Sequence, residues 1–281
     1  MTSHDVVARA RRALGTRKVG HAGTLDPMAT GLLVLGVEGA TRLLTFIVGL
    51  DKTYEATIRL GVSTDTDDAD GQVVAQTDAS SLDDRDVRTA VAALTGRIAQ
   101  VPSTYSAIKV DGRRAYDLAR AGEEVRLKAR EVTVSRFDIL AERREGAVVD
   151  LDVVVDCSSG TYIRSLARDL GDALGTGGHL TALRRTRIGP FAVDDAVPVD
   201  AVGGRPLVSP ASAAAAVLGR LDVTAEEARD LRHGKRLTGA APRLSVEPAA
   251  AIDPDGRLVG VVGSRGADVK SVMNMPEEAS G

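Results

Sequence analysis

Lys52-Thr53-Tyr54-Glu55-Ala56-Thr57-Ile58-Arg59-Leu60 alternates with a period of two. Tyr54, Ala56, Ile58 and Leu60 fall on one side, and Thr53, Glu55, Thr57 and Arg59 on the other. Successive side chains of a strand point to opposite faces, so this stretch predicts a strand with one face buried and one in water. Such half-buried strands belong to antiparallel sheets. Two further long strands are predicted over 132–140 and 147–157, joined near Glu145-Gly146. The second sets Val149, Leu151, Val153 and Val155 on one face, and Asp150 and Asp152 on the other.

Helices stand between and after these strands, without regular alternation. An opening helix is capped by Thr2 and Ser3, carries Asp5 in its first turn, and ends at Gly15. A second helix over 83–95 closes at Gly96, and a third over 161–174 shows the stripe Ile163, Leu166, Ala167, Leu170 and Leu174. Shorter elements are predicted as a buried strand over 32–37 and a helix over 40–48. A turn at Asp111-Gly112 leads into a helix over 114–120. The pattern implies an α+β fold built on a mixed, largely antiparallel sheet. An Ala/Pro/Gly-rich stretch at 203–219 reads as a boundary. Beyond it come a helix over 224–232 and two strands, 249–252 and 258–262, flanking the turn Asp253-Pro254-Asp255-Gly256. The expected domains are therefore 1–205 and a small β-rich unit over 219–276, with 277–281 a disordered tail.

The segment that offers chemistry is Gly20-His21-Ala22-Gly23-Thr24-Leu25-Asp26-Pro27-Met28-Ala29-Thr30-Gly31. It lacks clear periodicity and reads as a long ordered loop. Pro27 drives Asp26 into an extended conformation, which fixes where its carboxylate points. From the residues alone, an ordinary turn with a capping Asp is an equal alternative.

The segment resembles the signature G-H-x-G-x-L-D-P-x-A-x-G of the TruB family of tRNA pseudouridine synthases, whose Asp is catalytic. Gly39-Ala40-Thr41-Arg42, Asp51-Lys52-Thr53-Tyr54 and Leu60-Gly61 with Thr64 to Gly71 resemble further family motifs. So do Gln100-Val101-Pro102-Ser103 with Ser106 to Lys109, Cys157 to Arg164, Gly178-His179-Leu180 and Leu183-Arg184-Arg185. They occur in family order from about residue 2 to 190. The resemblance implies isomerisation of uridine 55 in the T-arm loop of tRNA to pseudouridine, by base flipping and without cofactor. It implies Asp26, Arg164 and Tyr162 as catalytic residues, and His21, Tyr54, Tyr162 and Leu183 as substrate-binding ones. Tyr54 would stack on the flipped base, Leu183 would pack it, and His21 would occupy or stabilise the disrupted loop. Tyr162 would lie against the ring, its hydroxyl serving proton removal at C5. Arg164 would pair with Asp26, since an adjacent guanidinium favours and orients the ionised carboxylate. Asp26 then attacks the base or the sugar, or assists glycal formation; all three stay open. The C-terminal unit resembles a PUA-type RNA-binding domain that grips the acceptor arm. A monomer without an obligatory protein partner is implied. The family opens with a strand and a K-P-x-G turn ahead of the position that is Thr2 here, so a first strand is expected to be missing. A tRNA-binding or folding chaperone on the same fold is the alternative function, and a guide-RNA-dependent synthase subunit another.

Composition narrows the field. One cysteine, Cys157, precludes an intramolecular disulfide and a Cys-based zinc site, and it reads as a small buried core residue. The four His are scattered and no H-E-x-x-H occurs, so no metal is expected. The acidic run 65–71 is out of register for a calcium loop, and Walker A and dinucleotide fingerprints are absent. No run reaches the roughly 18 apolar residues of a membrane helix, and Asp5 in a polar N-terminus argues against a secretory signal, which makes the cytoplasm the expected location. Net charge is -3, yet basic residues cluster at Arg9 to Lys18, at Lys109 to Arg114 and at Arg184, Arg185 and Arg187, predicting a polarised surface.

Overall fold

The structure, a computed structural model, describes residues 1–105, 109–110, 113–114 and 127–276. Its centre is a seven-stranded sheet built around β4 (Lys52–Leu60). β4 lies between β11 (Val148–Cys157) and β12 (Gly178–Ile188), antiparallel to both. Outside β11 run β10 (Arg130–Glu145) and β7 (Gly96–Gln100), and outside β12 lies β13 (Phe191–Ala192). Among the described residues, β2 (Thr30–Gly31), which joins β12, is the one strand parallel to its neighbour in this sheet. The architecture is thus the α+β one, with a largely antiparallel sheet.

The alternation read in β4 holds, and it includes one residue more. Lys52, Tyr54, Ala56, Ile58 and Leu60 are all buried, so a lysine starts the buried row. Val149, Leu151, Val153 and Val155 of β11 bury the same face. Helix α4 (Ile163–Ala173) lays Ile163, Leu166, Ala167 and Leu170 on it, and α3 (Asp84–Ala93) adds Val87 and Val91. Burying each such side chain contributes on the order of 1.5–3 kcal/mol. The opposite face stays polar through cross-strand pairs, such as Arg59 with Asp150 and Thr57 with Asp152.

α4 packs so closely on the start of β12 that a Cβ at Gly171 would collide with the backbone of Gly177 and Gly178. Neither partner is a flexible side-chain end. Gly171→Ala is therefore expected to lower stability by about 1–3 kcal/mol or more, read as a fall in the thermal midpoint. An unchanged midpoint would show that the contact relaxes at no cost.

Several local expectations are corrected. The supposed loop 20–31 begins in β1 (Val19–Ala22), which pairs with β3 (Val34–Val37), and ends in β2. The helix expected over 40–48 is a 3-10 turn, Glu38–Leu43, followed by α2 (Leu44–Ile47). β10 runs on to Glu145, well past residue 140, through an irregularity between Ile139 and Ala141. A hairpin of β8 (Lys109–Val110) and β9 (Arg113–Arg114) brackets Asp111-Gly112. That turn, the helix expected up to Arg120 and the tail 277–281 lie outside the described residues. The opening helix is α1 (Ser3–Leu14), with Thr2 as its cap in a reciprocal box with Asp5.

The stretch 203–219 contains α5 (Pro210–Val217), capped by Ser209. Behind it β14 (Gly219–Asp222), β15 (Ala249–Ile252), β16 (Leu258–Arg265) and β17 (Asp268–Asn274) form a four-stranded sheet. Helix α6 (Ala225–Arg232), capped by Thr224, covers one side of it with Ala228 and Leu231. The other side packs Ala250, Ile252 and Val261 against Leu43 and Phe46, which joins the small sheet to the rest of the chain.

Candidate active site

A cleft of about 930 Å³ opens where the 23–31 segment crosses the ends of β4, β12 and α4. Asp26 stands in its wall. Its carboxylate accepts two hydrogen bonds from Arg164, from Nε to Oδ2 at 2.9 Å and from Nη2 to Oδ1 at 2.8 Å. This fork holds the carboxylate in one plane, as only a guanidinium does. Pro27 leads into a turn closed by the Ala29 N–H donating to the Asp26 carbonyl at 3.0 Å. Ser3, at the start of α1, receives the Leu25 N–H on its Oγ at 2.9 Å. The loop is therefore tied down on both sides of Asp26.

Arg164 is itself 4% exposed and fully engaged. Nη1 donates to the Thr66 carbonyl at 2.9 Å and faces Asp68 at 3.4 Å, and Nη2 donates to the Tyr105 carbonyl at 2.9 Å. Asp68 is 4% exposed and takes hydrogen bonds from the Thr66 hydroxyl and the Asp70 N–H. Asp26, Arg164 and Asp68 thus form a carboxylate–guanidinium–carboxylate row, with Asp26 at the open end. Tyr162 is the N-cap residue of α4. Its backbone is gripped by the buried Gln100 side chain, which accepts from the Tyr162 N–H at 2.8 Å and donates to its carbonyl at 3.0 Å.

β4 and β12 supply the floor. Tyr54 and Leu183 are buried, on adjacent strands, and both line the cleft. Burial pushes the Tyr54 phenol up, so it stays neutral through the physiological range. Arg185 is 1% exposed and binds the loop from below. Nε donates to the Leu32 carbonyl at 2.9 Å and Nη2 to the Gly23 carbonyl at 3.1 Å. At Gly31 the loop presses so tightly on Arg185 that a Cβ would overlap its backbone carbonyl, and the φ of +96° suits only glycine.

The description "TruB family pseudouridylate synthase (N terminal domain)" matches residues 11–163. The chain belongs to the TruB family. Two C-terminal descriptions follow, "tRNA pseudouridylate synthase B C-terminal domain" over 164–207 and "tRNA Pseudouridine synthase II, C terminal" over 218–276. Among its relatives, the tRNA pseudouridine synthase B of Arthrobacter sp. (strain FB24) is 55% identical over 281 residues, covering 97% of this chain and 92% of that one. The enzyme of the same name from Corynebacterium aurimucosum is 56% identical over 274 residues, covering 97% and 91%. The fold is also that of a protein in an H/ACA ribonucleoprotein bound to a substrate RNA containing 2′-deoxyuridine, at TM-score 0.69 and 23% identity. That match covers 98% of this chain and 82% of the other.

Within this TruB-family cleft, Asp26, Arg164, Tyr162, Tyr54 and Leu183 converge. His21 stands one ring behind: His4 lines the cleft, and His21 packs against it edge to face at 5.8 Å between centroids. Burial, with His4 and Arg185 nearby, pulls the His21 pKa down and favours the neutral ring. Asp68, Ser3, Gln100, Lys52 and Arg185 escaped sequence reasoning as members of the site. The sequence sets Arg185 in a basic cluster with Arg184 and Arg187, but β12 alternates, and it turns Arg185 inward while Arg184 stays exposed.

Cys157 ends β11 opposite Lys52 of β4 and is buried, which pushes its thiol up to about 11. A raised thiol pKa means stability that is complete below the unfolded value near 9 and is lost as pH rises through 11. At pH 8 the native protein is expected to resist thiol reagents, and the denatured chain to react at once. Fast stoichiometric labelling of native protein would contradict this placement.

Proposed function

We propose that this chain isomerises uridine 55 in the T-arm loop of tRNA to pseudouridine, with Asp26 as its catalytic carboxylate. The observation that carries the reading is the bidentate Asp26–Arg164 pair at the mouth of a cleft floored by Tyr54 and Leu183. A uridine stacked inside a folded RNA loop cannot bring its glycosidic bond to a carboxylate, so the base is flipped into the cleft. Tyr54 then stacks on the uracil, for which roughly 1–3 kcal/mol per base is typical. Leu183 packs the ring, Tyr162 lies beside it, and the His4–His21 pair stands at the loop side of the entrance.

Of the three routes, the two in which Asp26 acts at the sugar, bonding to C1′ or taking the C2′ proton, leave the uracil untethered and free to turn. In both routes the C1′–N1 bond breaks and its electron pair leaves with uracil. The ring turns and C5 bonds to C1′ as the bond from C1′ to Asp26 breaks or, in the other route, as C2′ regains its proton from Asp26. The proton on C5 is then lost and N1 gains one, the Tyr162 hydroxyl relaying it. Substrate and product have the same atoms and oxidation level, so the reaction calls for no co-substrate.

The unit over 219–276 grips the acceptor arm in this reading, supported by the exposed cations Arg229, Arg257, Arg265 and Lys270. Their contribution falls with salt, as phosphate contacts do. The protein works as a monomer in the cytoplasm, without an obligatory protein partner. Among the described residues no helix is long and apolar enough to cross a membrane. The test is purified protein with an unmodified tRNA transcript, pseudouridine being mapped by carbodiimide treatment and primer extension. A stop at the T-loop uridine supports the reading; a transcript that is bound and left unmodified favours the folding-chaperone alternative.

A further inference from the structure

Among the described residues three buried cations line the cleft, and one of them is neutralised. Arg164 faces Asp26 and Asp68. Lys52 and Arg185 have no counterpart: among the described residues no carboxylate forms an ion pair with either. Both are nonetheless buried, at 6% and 1% exposure. Their hydrogens point at carbonyl oxygens. Arg185 serves Leu32, Gly23 and Thr24, and Lys52 Nζ donates to Leu50 at 2.6 Å and Val48 at 3.0 Å. The third N–H of Lys52 has no acceptor among the described residues. Carbonyl dipoles satisfy donors without cancelling a charge, and burying an ion without a counter-ion is costly. The wall that holds Lys52 and Arg185 therefore carries positive charge, opposed without direct pairing by Asp51, which acts on Lys52, and by Asp26 in the same cleft.

The strand register says where that charge falls. Lys52 and Tyr54 share the buried face of β4, and Leu183 and Arg185 share the facing side of β12, with Arg185 directly opposite Tyr54. All four line the cleft. Arg185 lies near enough to the Tyr54 phenol to oppose the rise that burial causes in its pKa. The two cations approach each other beside the loop, where a Cβ on Gly23 would lie 3.5 Å from Arg185 Nη1 and 3.7 Å from Lys52 Cε. Burial, aided by the nearness of Arg185, pulls the Lys52 pKa down. An anion beside them would relieve that repulsion.

We infer that Lys52 and Arg185 stabilise the negative charge uracil acquires when its bond to C1′ breaks. This rests on the isomerase reading above. In that step the C1′–N1 pair passes to N1 and spreads over O2 and O4. C1′ is satisfied by a bond to Asp26 or by loss of the C2′ proton to it. The neutral ring exerts little pull on the two cations and the anion a strong one, so their field lowers the barrier rather than tightening ground-state binding. The ring is neutral again once C5 bonds to C1′, which frees the Asp26 carboxylate or takes the proton back from it to C2′. C5 then loses its proton and N1 gains one.

The test varies the charge at Lys52 and the stability of the leaving anion together. Lys52→Gln removes the charge and keeps a donor for the Val48 and Leu50 carbonyls; Lys52→Met is a second neutral variant should the first not fold; Lys52→Arg keeps the charge. Each is compared with the unaltered protein, under single turnover, on a full-length transcript and on one carrying 5-fluorouridine. The fluorine withdraws charge from the ring and stabilises the anion by itself. Digestion and mass spectrometry read the loss of the N-linked nucleoside. The neutral variants are expected to be slower on uridine by about 100-fold, with tRNA affinity unchanged. The deficit should shrink to about tenfold or less on 5-fluorouridine, and Lys52→Arg should recover most of the uridine rate. Equal deficits on both transcripts, a loss confined to affinity, an undiminished rate in a folded neutral variant, or a Lys52→Arg protein as slow as the neutral ones would each overturn the assignment. An unaltered protein that makes no pseudouridine would refute the isomerase reading itself, an outcome separate from these four.

Discussion

Asp26→Asn is expected to abolish pseudouridine formation, by at least about 10⁴-fold, while tRNA binding persists. Asparagine has nearly the same shape and can still accept a hydrogen bond from Arg164, so the loop tied down by Ser3 and Arg185 is not disturbed. It cannot bond to C1′ or take the C2′ proton. Arg164 retains Asp68 as a partner, so the buried charge is not orphaned and the thermal midpoint should move little. Gel-shift binding beside a pseudouridine assay separates the two properties. A variant with measurable activity would remove Asp26 from the chemistry, and one that had lost tRNA binding as well would make it a structural residue.

Arg164→Met should produce the largest loss of stability around the site. The substitution leaves Asp68 buried with no cation and brings Asp26 and Asp68 into the same field without the guanidinium between them. It also strips donors from the carbonyls of Thr66 and Tyr105. Removing one member of a buried ion pair typically costs about 3–5 kcal/mol. For a chain of this size each kcal/mol lowers the midpoint by roughly 2–4 °C, so the fall should approach 10 °C or more. Adding Asp68→Asn neutralises the orphaned carboxylate and should restore part of the stability. Activity should stay absent, because Asp26 remains unoriented. A single Arg164→Met variant with an unchanged midpoint would contradict the assigned burial of Asp68. Recovery of activity in the double variant would show that Arg164 matters to the fold alone.

The central sheet could be read from the chain because its strands are long and half-buried. Nine residues of alternation in β4 and the Val149–Val155 row in β11 leave little choice of face. The short elements carried no comparable signal. β1 has four residues and two of them are Gly20 and His21, so the pairing with β3 could not be told from an irregular loop. The outer end of β10 is largely exposed and gives no hydrophobic pattern to extend. The 3-10 turn at Glu38 begins with a positive φ of 49°, which no propensity announces for a glutamate.

The site was legible where a motif names its own chemistry, as at Asp26. Its electrostatics were not. Asp68 sat in an acidic run and Arg185 in a basic one, and charge runs ordinarily face water. Which member turns inward depends on strand parity and on partners far away in sequence. Asp26 and Arg164 are 138 residues apart and meet only because β4 brings the loop side and the α4 side of the sheet together. Lys52 was assigned to neither face, although it stands two residues before Tyr54 and so shares its buried row.

The most direct measurement of the central claim is tritium release from a tRNA transcript labelled at C5 of every uridine. Joining C5 to C1′ expels one hydrogen per pseudouridine formed. The account predicts release that saturates at one equivalent per tRNA and disappears when the T-loop target uridine is replaced by cytidine. Release that stays at zero, that climbs past one equivalent, or that survives the cytidine replacement would contradict it.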